Sequence, residues 1–412
     1  MSTDAPALRP VMAADAGLIN SVVDLYTDLH RFPELSMQEY RTIGRIEREL
    51  AGIDTTMRRL AGTGLEVVVA NGSGPRIAMR GDIDALPIAE RTGLRYASVV
   101  GQSDSARPAM HACGHDLHAA CLVGVIKYLC RHRDRWSGTF IAVFQPGEET
   151  GEGALAMIND GLFSQTGLPE VMLGQHVTSA PVGRLLCRPG PFLSRQRSWR
   201  VQIDGVGGHA ARPHLCTDPI VAAAMMIVRL QTIVSREIDP FRMAVVTVGT
   251  MHGGTKENVI PATAEFTVST RSHEESVGAR IDDALVRVIT AEAAAANVEV
   301  QLDELAEVPP CYNDPDATAR VHAALAAAFG SECVDSPADP LPASDDFGQY
   351  RRQLGIPSVI WNFGCQEAGL FQPGGPQPPR NHDARFAPAI PGAIEVGVAG
   401  ALAVVMAWLG RR

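Results

Sequence analysis

The sequence predicts an α/β protein: a mostly parallel, helix-covered sheet interrupted by an inserted β-α-β-β-α-β unit of the split βαβ, or ferredoxin-like, kind. Three observations carry this. From about Asp24 to His176, short β-branched runs alternate with helical stretches. After about Pro189 the pattern changes to half-buried strands separated by two amphipathic helices. Beyond about Pro309 the α/β patterning returns. The expected organisation is one domain in two parts, residues 1–188 and 305–412, around an inserted domain over residues 189–304.

In chain order, Glu66–Ala70, Arg76–Gly81, Thr139–Phe144 and Val171–Gly174 read as strands. Several are continuous apolar runs, the pattern of strands covered on both faces. Leu117–Cys130 and Ala154–Asp160 read as the intervening helices. In the insertion, Trp199, Val201 and Ile203 alternate with polar neighbours as a strand. A helix follows the starter Asp218-Pro219, with Ile220, Ala223, Ile227, Leu230 and Val234 on one face. Ala244–Val248 and Phe266–Thr270 are the next strands. Val277, Ile281, Leu285 and Val288 stripe a second helix, and Val298, Val300 and Leu302 alternate as the last strand.

Composition narrows the function. The 412 residues are 46% hydrophobic and 20% charged, enough for a sizeable core and against intrinsic disorder. Net charge is -10 and aromatic residues are only 5%, with no basic stripe, so a nucleic-acid partner is not expected. The longest apolar stretch, Val396–Leu409, is shorter than the roughly 18 residues of a spanning helix and reads as a buried terminal helix. Met1–Asp15 has no basic region followed by an apolar run, so no secretory signal is expected. Eight cysteines in such a chain point to the reducing cytoplasm.

The chemistry lies in His111-Ala-Cys113-Gly-His115-Asp116, Gln145-Pro-Gly-Glu148-Glu149, Gly174-Gln175-His176 and, far away, Asn381-His382-Asp383. Asp82, Asp84, Glu148, Glu149 and His176 each follow a predicted strand. In an open parallel sheet the ligand crevice lies outside the carboxyl ends of strands, so these side chains converge. Cys, His and Glu are donors that divalent transition metals prefer. Gly114 would let the backbone turn so that Cys113 and His115 point one way.

Collinear motifs then carry a family resemblance. They are Leu29-His-Arg-Phe-Pro-Glu-Leu-Ser36, Arg80-Gly-Asp-Ile-Asp-Ala-Leu-Pro87, Met110-His-Ala-Cys-Gly-His-Asp116 and Phe144-Gln-Pro-Gly-Glu-Glu149. Gly207-Gly-His-Ala-Ala211, Pro213-His214, Asp218-Pro219 and Asn258-Val-Ile-Pro261 follow. The chain resembles the M20 metallopeptidase clan and, within it, the aminoacylases, hippurate hydrolases and auxin–amino acid conjugate hydrolases. The resemblance implies a zinc-exopeptidase-like catalytic domain with an inserted ferredoxin-like lid that mediates dimerisation. It implies two divalent metal ions, zinc or manganese foremost, with cobalt and nickel as alternatives, held by Cys113, His115, Glu149, His176 and His382. Glu148 resembles the catalytic base, and His209 and Asn258 resemble substrate contacts in the lid.

The roles are chemically coherent. Two cations lower the pKa of a shared water and polarise the scissile carbonyl. One carboxylate must stay off the metals to take the water's proton and deliver it to the leaving amine. Glu149 then coordinates and Glu148 stays free, while His209 would stabilise the oxyanion. Other residues keep two readings each. Asp84 either orients a ligand imidazole or only begins a loop. His118 is structural or supports the ligands. His214 shapes the substrate pocket or packs, and Arg271 binds a substrate carboxylate or pairs with Glu274.

There are departures from the family pattern. Ser344-Asp-Asp-Phe347 stands where Ser-Glu-Asp-Phe is usual, Val268 replaces a lid glycine, and the surroundings of His382 match loosely. The loop between Ala97 and His111, including Gly101–Pro108, is longer than usual and leads into the metal motif. The expected function is hydrolysis of the amide of a small N-acyl amino acid or N-acyl amine. A metal-dependent dipeptidase or carboxypeptidase, thiol catalysis by Cys113 with His115, and a non-catalytic metal- or amino-acid-binding relative are the alternatives.

Overall fold

The structure, a computed structural model, describes residues 16–101, 107–337 and 339–410. Met1–Asp15, where the absence of a signal was expected, and residues 102–106 of the long loop lie outside the described residues. The chain divides into two compact units. One comprises Met1–Gly190, Tyr312–Asp339 and Asp346–Arg412, and the other Pro191–Cys311 with Pro340–Asp345.

The first unit opens with α1 (Ala16–Arg31), α2 (Tyr40–Leu50), β1 (Thr56–Leu60), β2 (Gly64–Asn71) and β3 (Arg76–Asp82). Then come α3 (His115–Arg131), β4 (Gly138–Gln145), α4 (Gly153–Asn159), β5 (Met172–Pro181) and β6 (Leu185–Leu186), and β7 (Gly190–Leu193) leads into the second unit. The second unit carries β8 (Arg195–Asp204), β9 (Gly208–His209), α5 (Pro219–Arg236), β10 (Ala244–Gly253), β11 (Val259–Ile260), β12 (Thr263–Ser272), α6 (Glu275–Ala296) and β13 (Glu299–Val308). After β14 (Cys311–Asn313), the chain continues through α7 (Pro315–Phe329), β15 (Val334–Asp335), α8 (Gly348–Leu354), β16 (Ser358–Gln366) and α9 (Gly392–Leu409).

The first unit is built on an eight-stranded mixed sheet, in the order β1-β2-β4-β3-β5-β16-β6-β15. Its centre, β4-β3-β5-β16, is parallel. All nine residues of β16 are buried, as are six of the seven in β3, because helices cover the sheet. Of these, α3 is buried from His115 through Leu129 and packs on α1 and α9. At the carboxyl side of β3 and β4 stand Asp82 and Asp84, and Glu148 and Glu149, with His176 beside them in β5. That is the crevice edge of a parallel sheet.

One strand differs from expectation. β5 runs on to Pro181, so His176 lies within it rather than beyond it. The ladder to β16 continues past the apolar residues, pairing Asn362 with His176 and Gly364 with Thr178. Backbone pairing, invisible to residue type, sets its length.

In the second unit a four-stranded antiparallel sheet has the order β10-β12-β8-β13. Its strands alternate, as in β12, with Ala264, Phe266, Val268, Thr270 and Ser272 buried. α5 starts as expected: Asp218 caps it by accepting from the Ile220 and Val221 amides, with Pro219 in the first turn. Its buried face is rotated from the expected one. Met226 and Ile233 are buried, Ile227 and Val234 only partly so, and Ile220 is exposed. The helix is apolar nearly all round, so periodicity alone does not fix its inner face, and Val221, Met225 and Val228 stay exposed.

Among the described residues, two helices, α5 and α9, are long and apolar enough to cross a membrane by length and composition. The apolar window of α9 is 72% buried and that of α5 33%. α9 packs against α3, α7 and β16 as a core helix of the first unit.

Candidate metal centre

The centre forms where the ends of β3 and β4 and the middle of β5 meet the start of α3. Gly114 precedes that helix at φ 81°, a left-handed conformation, and an added Cβ would come within 2.4 Å of Val177 Cγ2. Glycine is required on both counts, and the turn brings Cys113 and His115 to one side. His115 donates from Nδ1 to Asp84 Oδ1 at 3.0 Å. Its Nε2 is buried without a hydrogen-bond partner, 3.8 Å from Glu148 Oε2 and 4.0 Å from Glu149 Oε1. His176 donates from Nδ1 to the Val177 carbonyl at 2.7 Å, which leaves Nε2 facing Cys113 Sγ at 3.6 Å.

His382 closes the set from the far end of the chain. Its Nε2 lies 3.4 Å from Glu149 Oε1, and its amide donates to the Ala112 carbonyl at 2.9 Å. It holds φ 72°, in the left-handed region, the one such histidine among the described residues. Asp84 Oδ2 accepts from Ser36 Oγ at 2.7 Å and from the Glu149 amide at 3.0 Å, so it is no mere turn residue. The glutamate loop is steadied by buried Glu39, which accepts from the Gly147 amide at 2.9 Å and from Thr63 Oγ1 at 2.6 Å.

Electrostatics follow from this crowding. Burial pushes the Cys113 thiol up, but His176, His115 and His382 outweigh it and hold the thiol well below its ordinary range. Burial pulls His176 down, and Cys113 with Asp82 raises it to about 9. Cys113 and Glu149 lift His382 to about 10. Burial and the Cys113 charge raise Glu149. Protons and cations therefore compete for the same donor atoms.

The donor chemistry fits two divalent cations. Donor atoms of Cys113, Glu149 and His382 lie within 4.8 Å of one another, and so do those of His115, Glu148 and Glu149. Glu149 belongs to both sets. The buried, unpartnered Nε2 of His115 and Oε1 of Glu149 are the orphans a cation would satisfy.

Elsewhere, the second unit brings His209 and Asn258 together, because β9 pairs with β11 and the Ala210 amide donates to the Asn258 carbonyl at 3.1 Å. His209 Nδ1 accepts from the Ala211 amide at 3.0 Å, so the exposed ring carries its proton on Nε2. His214 is exposed in the short turn Pro213–Leu215. Arg271 stands near the opposite end of β12 and donates to the Pro342 carbonyl, Ser344 Oγ and Gln196 Oε1. The pairing with Glu274 is not formed, because Glu274 binds Arg242 at 2.6 Å.

Comparison with known proteins settles the family. The model of peptidase family M20/M25/M40 matches residues 78–403. The chain belongs to the M20 family. Among M20 relatives, an N-acetyl-L-cysteine deacetylase of Bacillus subtilis is 36% identical over 349 residues, covering 84% of this chain and 81% of its own. A thermostable carboxypeptidase 1 of Saccharolobus solfataricus is 31% identical, covering 89% and 90%. In structure, the YXEP protein of Bacillus subtilis, described as a dinuclear metal binding peptidase of the M20 family, aligns at TM-score 0.76 and 27% identity. It covers 95% of this chain and 99% of its own.

Several supports of this M20 centre escaped sequence reasoning. Ser36 and Glu39 sit in or just after the Leu29–Ser36 motif, whose spacing says nothing of what it touches. His30 is buried between Asp116, at 2.7 Å, and Glu90, at 3.2 Å. Asn381 donates to the Cys113 and Val177 carbonyls, both at 3.3 Å. The place of His30 and Asn381 inside recognised motifs was the signal available.

Proposed function

We propose that this protein is a metal-dependent amidohydrolase that cleaves the amide bond of N-acyl amino acids or related small N-acyl amines, with Glu148 as general base. The observation that carries the reading is the division between neighbouring glutamates. Glu149 Oε1, 3.4 Å from His382 and 4.0 Å from His115, joins the Cys113–His382 set to the His115 set, whereas Glu148 Oε2, 3.8 Å from His115, shares only the second of these. Cys113, His115, Glu149, His176 and His382 are the proposed ligands. When bound, the pair of cations, zinc or manganese foremost, supplies an activated water and a polarised carbonyl.

Glu148 takes a proton from the attacking water and passes it to the departing amine nitrogen. Asp84 keeps His115 in the tautomer that presents Nε2. His209 and Asn258, at the other end of the second unit's sheet from Arg271, contact the substrate in the partner subunit's active site, His209 with the Nε2 proton that its hydrogen bonding leaves free to stabilise an oxyanion. His214 borders the substrate pocket. Arg271 binds the substrate carboxylate: its described partners are neutral oxygens, and burial pulls its pKa down. Its guanidinium fork suits a carboxylate.

Residues 1–188 and 305–412 form the proposed catalytic domain, and residues 189–304 a ferredoxin-like lid through which two copies dimerise. The β-α-β-β-α-β order and the sheet order β10-β12-β8-β13 support the ferredoxin-like assignment. A cytoplasmic site agrees with eight free cysteines. Relatives named deacetylase favour N-acyl substrates, and one named carboxypeptidase keeps peptides as the second reading. The test is hydrolysis of N-acetyl, N-benzoyl and longer N-acyl amino acids, beside dipeptides, with and without chelator. Chelator-insensitive turnover, or none on any substrate, would overturn the proposal.

A further inference from the structure

We propose that His118 is a positioning residue rather than a further metal ligand: neutral, with its proton on Nδ1, it holds the backbone of Val177 and through that residue aims His176 at the metal centre. The inference rests on the metal reading above. At first sight the opposite role is available. Donor atoms of Asp82, His115, His118 and His176 lie within 4.8 Å of one another, and the rings of His118 and His176 are 4.5 Å apart.

The hydrogen bonds decide between the roles. The Val177 amide donates to His118 Nε2 at 2.8 Å. An amide N–H can only donate, so that nitrogen is unprotonated and its lone pair is engaged. On the other side, His118 Nδ1 makes a short contact with Asp82 Oδ1. The second oxygen of Asp82 accepts from Arg80 at 2.9 Å, which keeps the carboxylate ionised and the proton on His118 Nδ1. Both nitrogens are spent, and the ring has no lone pair for a cation.

What His118 holds is next to a ligand. The carbonyl of Val177 accepts from His176 Nδ1 at 2.7 Å, and this bond turns His176 Nε2 toward Cys113. A line of contacts thus runs from Arg80 through Asp82, His118 and Val177 to His176. Arg80, Asp82 and His118 are each 1–2% exposed, so water does not compete for these bonds. Gly81 permits the arrangement, since a Cβ there would lie 3.1 Å from the His118 carbonyl oxygen. His115 and His118, three apart in the first turn of α3, share a face: one presents a free nitrogen, the other supports the opposing strand.

The experiment compares two neutral replacements in the full chain with Co²⁺ as the probe. In His118→Gln the amide reaches the place of Nε2 and accepts from Val177. In His118→Asn it reaches only the place of Nδ1 and keeps Asp82 alone. We expect His118→Asn to lose about 10–100-fold in Co²⁺ affinity, with an altered cobalt absorption spectrum, and His118→Gln to stay near wild type. Equal loss in both, or none in either, overturns the inference. Independently of variant folding, cadmium-loaded wild-type protein with isotope-labelled histidine should show cadmium–nitrogen coupling at His176 and none at His118. Coupling at His118, or a proton on its Nε2, overturns the inference alone. Wild type that takes up no Co²⁺ overturns the metal reading first.

Discussion

Asp84 and His115 are joined by a 3.0 Å hydrogen bond between Oδ1 and Nδ1, while the other oxygen of Asp84 holds the backbone of Glu149. One carboxylate therefore orients two of the proposed ligands. Asp84→Asn keeps the shape and removes the charge, and its amide can offer His115 a donor instead of an acceptor. The expected result is a 10–100-fold loss of metal affinity, read by competition with a chelating indicator. Unchanged affinity would deny Asp84 this role.

Glu148→Gln should retain both metal equivalents by elemental analysis and lose about 10²–10⁴-fold in kcat. Cys113→Ala, in contrast, should come up short in metal. Near-normal turnover in the first variant would remove Glu148 as the base.

Metal uptake should release protons. His176 and His382, raised to about 9 and about 10, are protonated at neutral pH in the metal-free cluster and must give up those protons to bind. Affinity should therefore climb as pH rises through 7 toward 9, with acid released into weakly buffered solution on loading. Uptake without acid release would count against these imidazoles as ligands.

His30 predicts a separate pH effect, on stability. Burial opposes its charge, but the hydrogen bonds it donates to Asp116 and Glu90 outweigh burial and raise it to about 9, against 6.5 for an ordinary histidine. Below pH 6.5 the imidazole is charged whether folded or not, and its contribution is complete. As pH rises through about 9 the contribution is lost, about 3 kcal/mol in all. Denaturant unfolding from pH 6 to 9.5 should show this loss, and His30→Gln should flatten the profile.

Arg271→Leu should raise KM for N-acyl amino acids at least tenfold, given the strength of charge-assisted bidentate pairs. Substrates that carry a neutral amine product, with no carboxylate, should be unaffected. A loss common to both classes would make Arg271 structural.

Much of this molecule was readable in the sequence where local chemistry decides. The strands beginning at Arg76 and Gly138 announce themselves as apolar runs, and Asp218-Pro219 announces the start of α5. Gathering Cys113, Glu149, His176 and His382 required only that strand ends face one crevice and that the motifs be recognised. What stayed hidden depends on contacts between distant segments. His118 reads equally as structural or as a support for the ligands until Asp82 and Val177 are seen against it. Glu274 looks like a partner for Arg271 until Arg242 is seen to hold it. The inner face of α5 was ambiguous because apolar residues cover nearly its whole circumference.

The left-handed backbone at His382 has its own consequence. An L-residue with a branched aromatic side chain costs about 1–2 kcal/mol in that conformation, which glycine adopts freely. His382→Gly should therefore relieve that strain, but it also removes the imidazole that Cys113 and Glu149 raise to about 10, a contact that stabilises the fold at neutral pH. The two effects oppose each other, so the variant should melt close to wild type while one of the proposed ligands is lost.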